Sequence, residues 1–178
     1  MSPLTDQQAV TQTGEPTESH AAAEAARPAR LQAMTEPWLD EVCRIEKRAY
    51  THPWSRGNFS DSLRAGYHAQ VLTLGQTLLG YHVLMLGAGE AHLLNITVEP
   101  EEQGRGLARQ MLGELVRWSR AQGAQSLWLE VRVSNDRARQ IYERYGFKSV
   151  GLRRNYYPLA PFKREDALIM SLPLTEDA

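Results

Sequence analysis

Cysteine is almost absent from this chain: Cys43 is the single one in 178 residues. That excludes an internal disulfide and any metal site built from several thiolates. A reducing compartment fits such usage. Charge of one sign is not in excess either, with 20 Lys+Arg against 21 Asp+Glu. A protein that coats nucleic acid needs a strongly basic face, so that class is excluded as the main task. No apolar run approaches the roughly 20 residues that cross a bilayer. The N-terminus lacks the basic-then-apolar layout of a secretory signal. The histidines, at positions 20, 52, 68, 82 and 92, show no ligand spacing, and H-E-x-x-H is missing. The expectation is a cytoplasmic protein with no metal, no membrane and no direct nucleic-acid partner.

What is there begins late. Residues 1–28 are polar and alanine-rich, with almost no large apolar side chain. Such a segment buries too little surface to offset its ordering entropy, so a disordered tail is expected there. Residues 29–175 carry the patterns of one folded domain. "LQAM" reads as a first strand. Thr35 is an N-cap candidate for a helix with Trp38, Val42, Ile45 and Ala49 at helical spacing. "HPWS" breaks it, and Ser55 caps a second helix carrying Phe59 and Leu63. Residues 69–98 read as three strands, the first two joined by a tight Gly75-Gln76 turn. A helix follows with Leu107, Met111, Leu115 and Trp118 on one face and Gly123 as its C-cap candidate. "SLWLEV" is a strand. "SNDRARQIYERY" is a helix capped by Ser134 or Asn135 and stopped by Gly146. "FKSVGL" and "DALIMSL" close the chain as strands. The order gives a single mixed α/β domain without internal repeats.

The stretch "NITVEPEEQGRGLARQMLGELV" turns from strand into helix through small residues. A helix entered this way aims free N–H groups and its positive dipole end at the turn, which favours an anion. Gly104 and Gly106 let backbone approach a ligand closely, Ala108 is nearly as small, and Arg105 and Arg109 add positive charge. A pyrophosphate is a sensible ligand. A dinucleotide fingerprint needs a third glycine where Arg109 stands, and a P-loop needs Gly-Lys-Ser/Thr, so both are excluded. What remains is Q-x-x-G-x-A over Gln103 to Ala108. On spacing alone, a plain strand–helix turn explains it equally well.

With these residues in place the sequence resembles the GCN5-related N-acetyltransferases (GNAT), whose acetyl-CoA loop is Q/R-x-x-G-x-G/A. A second segment is similar to the N-x-x-A-x-x-x-Y-x-x-x-G-F helix of that family, here Asn135, Ala138, Tyr142, Gly146 and Phe147. "LWLEVR", "RRNYY", "REDALIM" and "RAYTHPWS" resemble more narrowly the RimI type, which acetylates the N-terminal alanine of small-subunit ribosomal protein eighteen. The resemblance implies an α/β (α+β) acyl-CoA N-acyltransferase fold, with a mixed, mostly antiparallel sheet flanked by helices. It implies acetyl-CoA as co-substrate and the N-terminal peptide of a ribosomal protein as partner. By the family pattern Ile96, Thr97 and Val98 pair through backbone with the pantetheine arm. The amides of Gly104, Arg105, Gly106, Leu107, Ala108 and Arg109 bind the pyrophosphate, and Asn135 hydrogen-bonds the coenzyme. Glu130 is then the general base and Tyr142 the general acid. The long N-terminal tail departs from the compact RimI pattern.

The chemistry is consistent with those roles. Acetyl transfer to an amine needs a neutral amine, donors for the developing oxyanion, a proton for the leaving thiolate and two reactants held together. An α-amine, with a pKa of about 7.7–8.0, is partly neutral near pH 7, whereas a lysine amine near 10.4 is not. A carboxylate base therefore suffices for an N-terminal acceptor, directly or through a water. Residues 126–132 alternate, so Leu127, Leu129 and Val131 face one way and Trp128, Glu130 and Arg132 the other. Read from residues alone, Glu130 is also accounted for by an ion pair with Arg132 or another arginine. Tyr142 sits at the margin of a stripe formed by Ala138, Ile141 and Tyr145, and packing alone accounts for it too. Its phenol, taken at the ordinary pKa near 10, can donate to a departing thiolate. "RRNYYP" reads as a solvated loop or a border of the peptide site, and Arg137 and Arg139 as solvated or facing an outer phosphate. Cys43 reads as a buried thiol. Transfer to lysines or small amines, and acyl-CoA binding without catalysis, are the rival functions.

Overall fold

The computed structural model describes residues 28–174, so nearly all of the expected tail lies outside the described residues. Seven strands form one sheet in the order β1-β2-β3-β4-β5-β7-β6. In chain order they are β1 (Arg30–Ala33), β2 (His68–Leu74), β3 (Thr77–Gly87), β4 (Glu90–Val98), β5 (Ser126–Arg132), β6 (Lys148–Ala160) and β7 (Lys163–Pro173). Every neighbouring pair is antiparallel except β4 with β5. The helices are α1 (Leu39–Ala49), α2 (Arg56–Arg64), α3 (Leu107–Ala121) and α4 (Asp136–Tyr145).

The two faces of the sheet follow the strand periodicity. On one face Val42 and Ile45 of α1 and Phe59 of α2 bury against Val71, Tyr81 and Val83. On the other, Leu112, Leu115 and Val116 of α3 bury against Leu84, Leu93, Leu127 and Leu129, with Ile141 and Tyr145 of α4 packed beside them. The alternation along β5 holds: Leu127, Leu129 and Val131 are buried toward α3 and α4, leaving Glu130 toward the α1 side.

The local signals mostly form the elements expected of them. Ser55 accepts from the Asn58 amide while the Asn58 side chain accepts from the Ser55 amide, closing a capping box on α2. Asn135, not Ser134, caps α4 by accepting from the Ala138 amide at 3.1 Å. Thr35 differs: it opens a short 3-10 turn over Glu36–Trp38 with no side-chain cap, and α1 begins only at Leu39. Gly123 adopts φ +78° just beyond Gln122, which is the C-cap of α3.

The larger difference is at the end of the chain. The solvated-loop reading of "RRNYYP" is overturned, because β6 runs unbroken from Lys148 through Pro158 to Ala160. Strand β6 is the sheet edge and is mostly exposed, so it lacks the alternation that marks a half-buried strand. Its register with β7 shifts between Arg153 and Tyr157, where Asn155 takes φ +51°.

At Gly80 the backbones of β3 and β4 approach closely. A Cβ there would lie 2.6 Å from the Thr97 carbonyl oxygen. Gly80→Ala is expected to cost about 1–3 kcal/mol by forcing β4 outward. Urea unfolding of the variant against the parent checks this.

Candidate active site

The site originates in a divergence. Parallel pairing of β4 with β5 runs from Glu90–Ser126 to Leu93–Leu129 and stops. The antiparallel pairing of β4 with β3 slips at the same level, leaving Leu94 as an extra residue between Leu93 and Asn95. Such a bulge bends a strand and raises its twist. Beyond it β4 stays with β3 as far as Val98, while β5 stays with β7 as far as Arg132. The facing edges of Ile96–Val98 and of Glu130–Arg132 are therefore not paired with each other.

A cleft of about 580 Å³ opens along this gap. Ile96, Thr97 and Val98 line it from β4, and Asn135 and Tyr142 from the start and middle of α4. Gly104, Gly106, Leu107, Ala108 and Arg109 line it from the turn into α3. Arg105, of the expected turn residues, does not line it: its guanidinium pairs with Glu102, which does.

The turn is built to present donors. Gly104 and Gly106 take φ of +87° and +81°, in the left-handed region, so glycine is required for conformation as well as for close approach. No side chain caps α3. The first helical bond runs from the Gln110 amide to the Gly106 carbonyl at 3.0 Å. Among the described residues the amides of Gly104 through Arg109 find no acceptor. Six unsatisfied donors at a helix front fit a diphosphate. Gln103 braces the turn: its Nε2 donates to the Val98 carbonyl at 3.2 Å, and its Oε1 accepts from Arg137 at 2.7 Å. Arg137 thus serves the loop, and Arg139 pairs with Asp136 at 3.0 Å. Because the Asn135 Oδ1 caps α4, its NH₂ group is what remains for a ligand.

A second cavity of about 320 Å³ adjoins the first. Tyr50, Ile96, Asn135, Ala138 and Tyr142 line both. Glu130, Arg132 and Tyr157 line the second from the β5–β6 side, and Glu46, Trp54 and Asn95 from the α1 side. Glu130 and Tyr142 belong to opposite faces of the sheet, and both line this second cavity.

The charges here are mostly matched. Glu130 pairs with Arg153 of β6 at 3.0 Å, so the ion-pair reading holds with an arginine from another strand. Arg132 pairs with Glu165 at 2.6 Å and lies 4.4 Å from the Tyr157 ring centroid. The Tyr157 hydroxyl donates to the Glu130 backbone carbonyl at 3.1 Å. Burial, followed by the Glu130 charge, pushes the Tyr157 phenol up. The Tyr142 phenol does not keep its ordinary pKa: burial above all, then the neighbouring Tyr50 and Tyr157, raises it well beyond the usual range. Tyr142 is therefore a neutral O–H donor at any working pH.

Two further groups escaped the sequence reading. Glu46 is 1% exposed and accepts from the Trp54 amide at 2.9 Å, from Asn95 Nδ2 at 3.3 Å and from the Tyr81 hydroxyl. The signal was present, since Glu46 falls at i+4 from Val42 on the apolar stripe of α1. Tyr50 donates to the Ile96 carbonyl at 3.3 Å and lies 3.0 Å from Thr97 Oγ1, which donates to Asn95 Oδ1 at 2.9 Å. Cys43 is buried as expected, and burial raises its thiol pKa.

Gly106→Ala is expected to carry a strain of about 1–2 kcal/mol at its positive φ. The α3 front would relax away from the cleft, and affinity for acetyl-CoA would fall by on the order of tenfold. Calorimetric titration of the coenzyme into both proteins measures it.

The geometry agrees with comparisons to known proteins. The model of the acetyltransferase (GNAT) family matches residues 39–147. A Salmonella typhimurium protein named [ribosomal protein bS18]-alanine N-acetyltransferase is 40% identical over 137 residues, covering 77% of this chain and 92% of that one. The Haemophilus ducreyi protein of the same name is 33% identical over 144 residues, covering 81% and 99%. The crystal structure of the ribosomal-protein-S18-alanine N-acetyltransferase from Escherichia coli superposes with a TM-score of 0.78 at 35% identity, over 85% of this chain and 97% of that one. The chain thus belongs to the GNAT acetyltransferase family.

Proposed function

We propose that this enzyme transfers the acetyl group of acetyl-CoA to the N-terminal α-amine of a protein, namely the N-terminal alanine of ribosomal protein bS18. One observation carries the reading: the amide-lined cleft and the acceptor cavity share Tyr142, and Glu130 lines the second of them. The names of relatives at 33–40% identity support the acceptor.

The chain's own groups divide the work. Amides from Gly104 to Arg109 hold the diphosphate, and the free edge at Ile96–Val98 offers backbone partners to the pantetheine amides. The NH₂ of Asn135 holds the arm where the two cavities join. The coenzyme supplies an acetyl group activated as a thioester. Glu130 removes the amine proton, directly or through a water. Its ion pair with Arg153 requires the carboxylate form, which is the form a base needs. Tyr142 donates its hydroxyl proton to the departing sulfur. Its raised pKa keeps the phenol protonated beforehand but makes it a weaker acid than a free phenol. The transfer is therefore driven by the negative charge developing on the sulfur in the same buried cleft. The amine and the thioester react directly in a ternary complex, with no acetyl-enzyme.

Glu130→Gln is expected to lower kcat by about 10²–10⁴-fold on an alanine-initiated peptide copying the bS18 N-terminus. Tyr142→Phe is expected to fall within the same range with little change in KM. A Glu130→Gln variant with undiminished turnover would remove the proposed base. Because the folded-state pKa of Tyr142 is raised, its acid form persists to higher pH than a free phenol's. The kcat profile of the parent enzyme is then expected to show no basic limb below about pH 10 from this group. Mass spectrometry of ribosomal proteins from a deletion strain tests the acceptor. The expected result is bS18 lacking its acetyl group, and an unchanged bS18 would refute that assignment.

A further inference from the structure

We propose that Glu46 is the group that makes the acceptor cavity select a cationic N-terminus, a positioning residue acting on the substrate's α-ammonium before the proton is removed. The inference rests on the reading of the second cavity as the acceptor site.

The argument is one of charges left over. Glu130 is neutralised by Arg153 at 3.0 Å and Arg132 by Glu165 at 2.6 Å. Glu46 makes no ion pair among the described residues, although it is 1% exposed and lines the same cavity. Its partners are the Trp54 amide, the Asn95 NH₂ and the Tyr81 hydroxyl, all neutral. The first two can only donate, and neither brings a positive charge. A buried carboxylate with neutral partners alone is costly to keep, unless a cation comes to it. The incoming N-terminus is such a cation in its resting form.

The placement suits that task better than Glu130 does. Glu46 is held from three sides, by the α1–α2 loop through Trp54, by β3 through Tyr81 and by β4 through Asn95. It cannot swing onto the amine and take the proton. It lines the cavity yet is almost wholly buried, so little water screens its charge from an ammonium held there. Asn95 continues the network, since its Oδ1 accepts from Thr97, whose hydroxyl meets Tyr50. The residue that presents the charge is thus tied to the strand that borders the coenzyme cleft. Glu46 would gather and orient the charged amine, and Glu130 would then deprotonate it in place.

The test is binding, not turnover. An alanine-initiated peptide and its propionyl twin, identical but for the amine, are titrated into enzyme with CoA present at pH 6.5. The parent enzyme is expected to prefer the amine by on the order of tenfold. Glu130→Gln is expected to keep that preference, and Glu46→Gln to lose it while binding the propionyl twin within about twofold of the parent. Equal weakening of both peptides in Glu46→Gln would make Glu46 a structural pin and overturn the proposal. So would loss of the preference in Glu130→Gln, or its absence from the parent. If Glu46→Gln does not fold, the Glu130→Gln arm still decides. Tyr81→Phe adds a second arm: it removes a neutral donor and leaves the charge, so a lost preference there also counts against Glu46. Failure of the base assignment is seen separately, as undiminished acetyl transfer by Glu130→Gln.

Discussion

The site depends on two strands that stop holding one another. A sheet interior normally satisfies every backbone donor and acceptor by the next strand. Here the extra residue at Leu94 turns β4 away from β5 after only four paired positions, Glu90 to Leu93. The sheet is kept whole at both sides, by β3 and by β7, so the opening is confined to its middle. Where the strands part, side chains take over some of the pairing: the Ile96, Val98 and Glu130 carbonyls accept from Tyr50, Gln103 and Tyr157. Everything else serves that gap: the α3 front closes one end, the start of α4 crosses it, and α1 backs it from the other face.

Rigidity around the opening comes from side chains that join separate elements. Gln103 ties the end of β4 to α4 through Arg137. Asn135 locks the first turn of α4 with its own oxygen. Glu46 ties α1, its following loop and two strands. Arg44 and Arg48 of α1 reach Glu99 at the end of β4, at 2.9 and 2.8 Å. Glu99 is largely buried, so these pairs are less screened than ordinary surface ones. Reacting groups held on such a frame lose little freedom when substrates arrive.

Much of this was readable in the amino acids because it is local. Leu127, Leu129 and Val131 alternate with Trp128 and Glu130, so strand and facing followed from period alone. The glycines at 104 and 106 and the cap at Asn135 act within a few residues of themselves. What could not be read is non-local. The ion pair of Glu130 with Arg153 exists because β6 lies across β7 from β5, a fact of topology. The raised Tyr142 phenol reflects helix packing and two tyrosines from other elements. The start of β6 was read as a strand, but its continuation from Arg153 to Ala160 hid because an exposed edge needs no apolar alternation. Glu46 hid in plain view, as one acid on an apolar stripe whose donors are eight, 35 and 49 positions away.

The two cavities share a wall of only a few residues and otherwise extend toward different faces of the sheet, one by α3 and α4 and the other by α1 and the α1–α2 loop. Under the proposed function the reactants would enter through separate doors and touch only at the threshold. Neither would have to vacate the protein before the other arrived, and neither product would block the other's exit. Such a layout has no built-in queue, so the order of release would follow the relative affinities of the spent carrier and the modified chain.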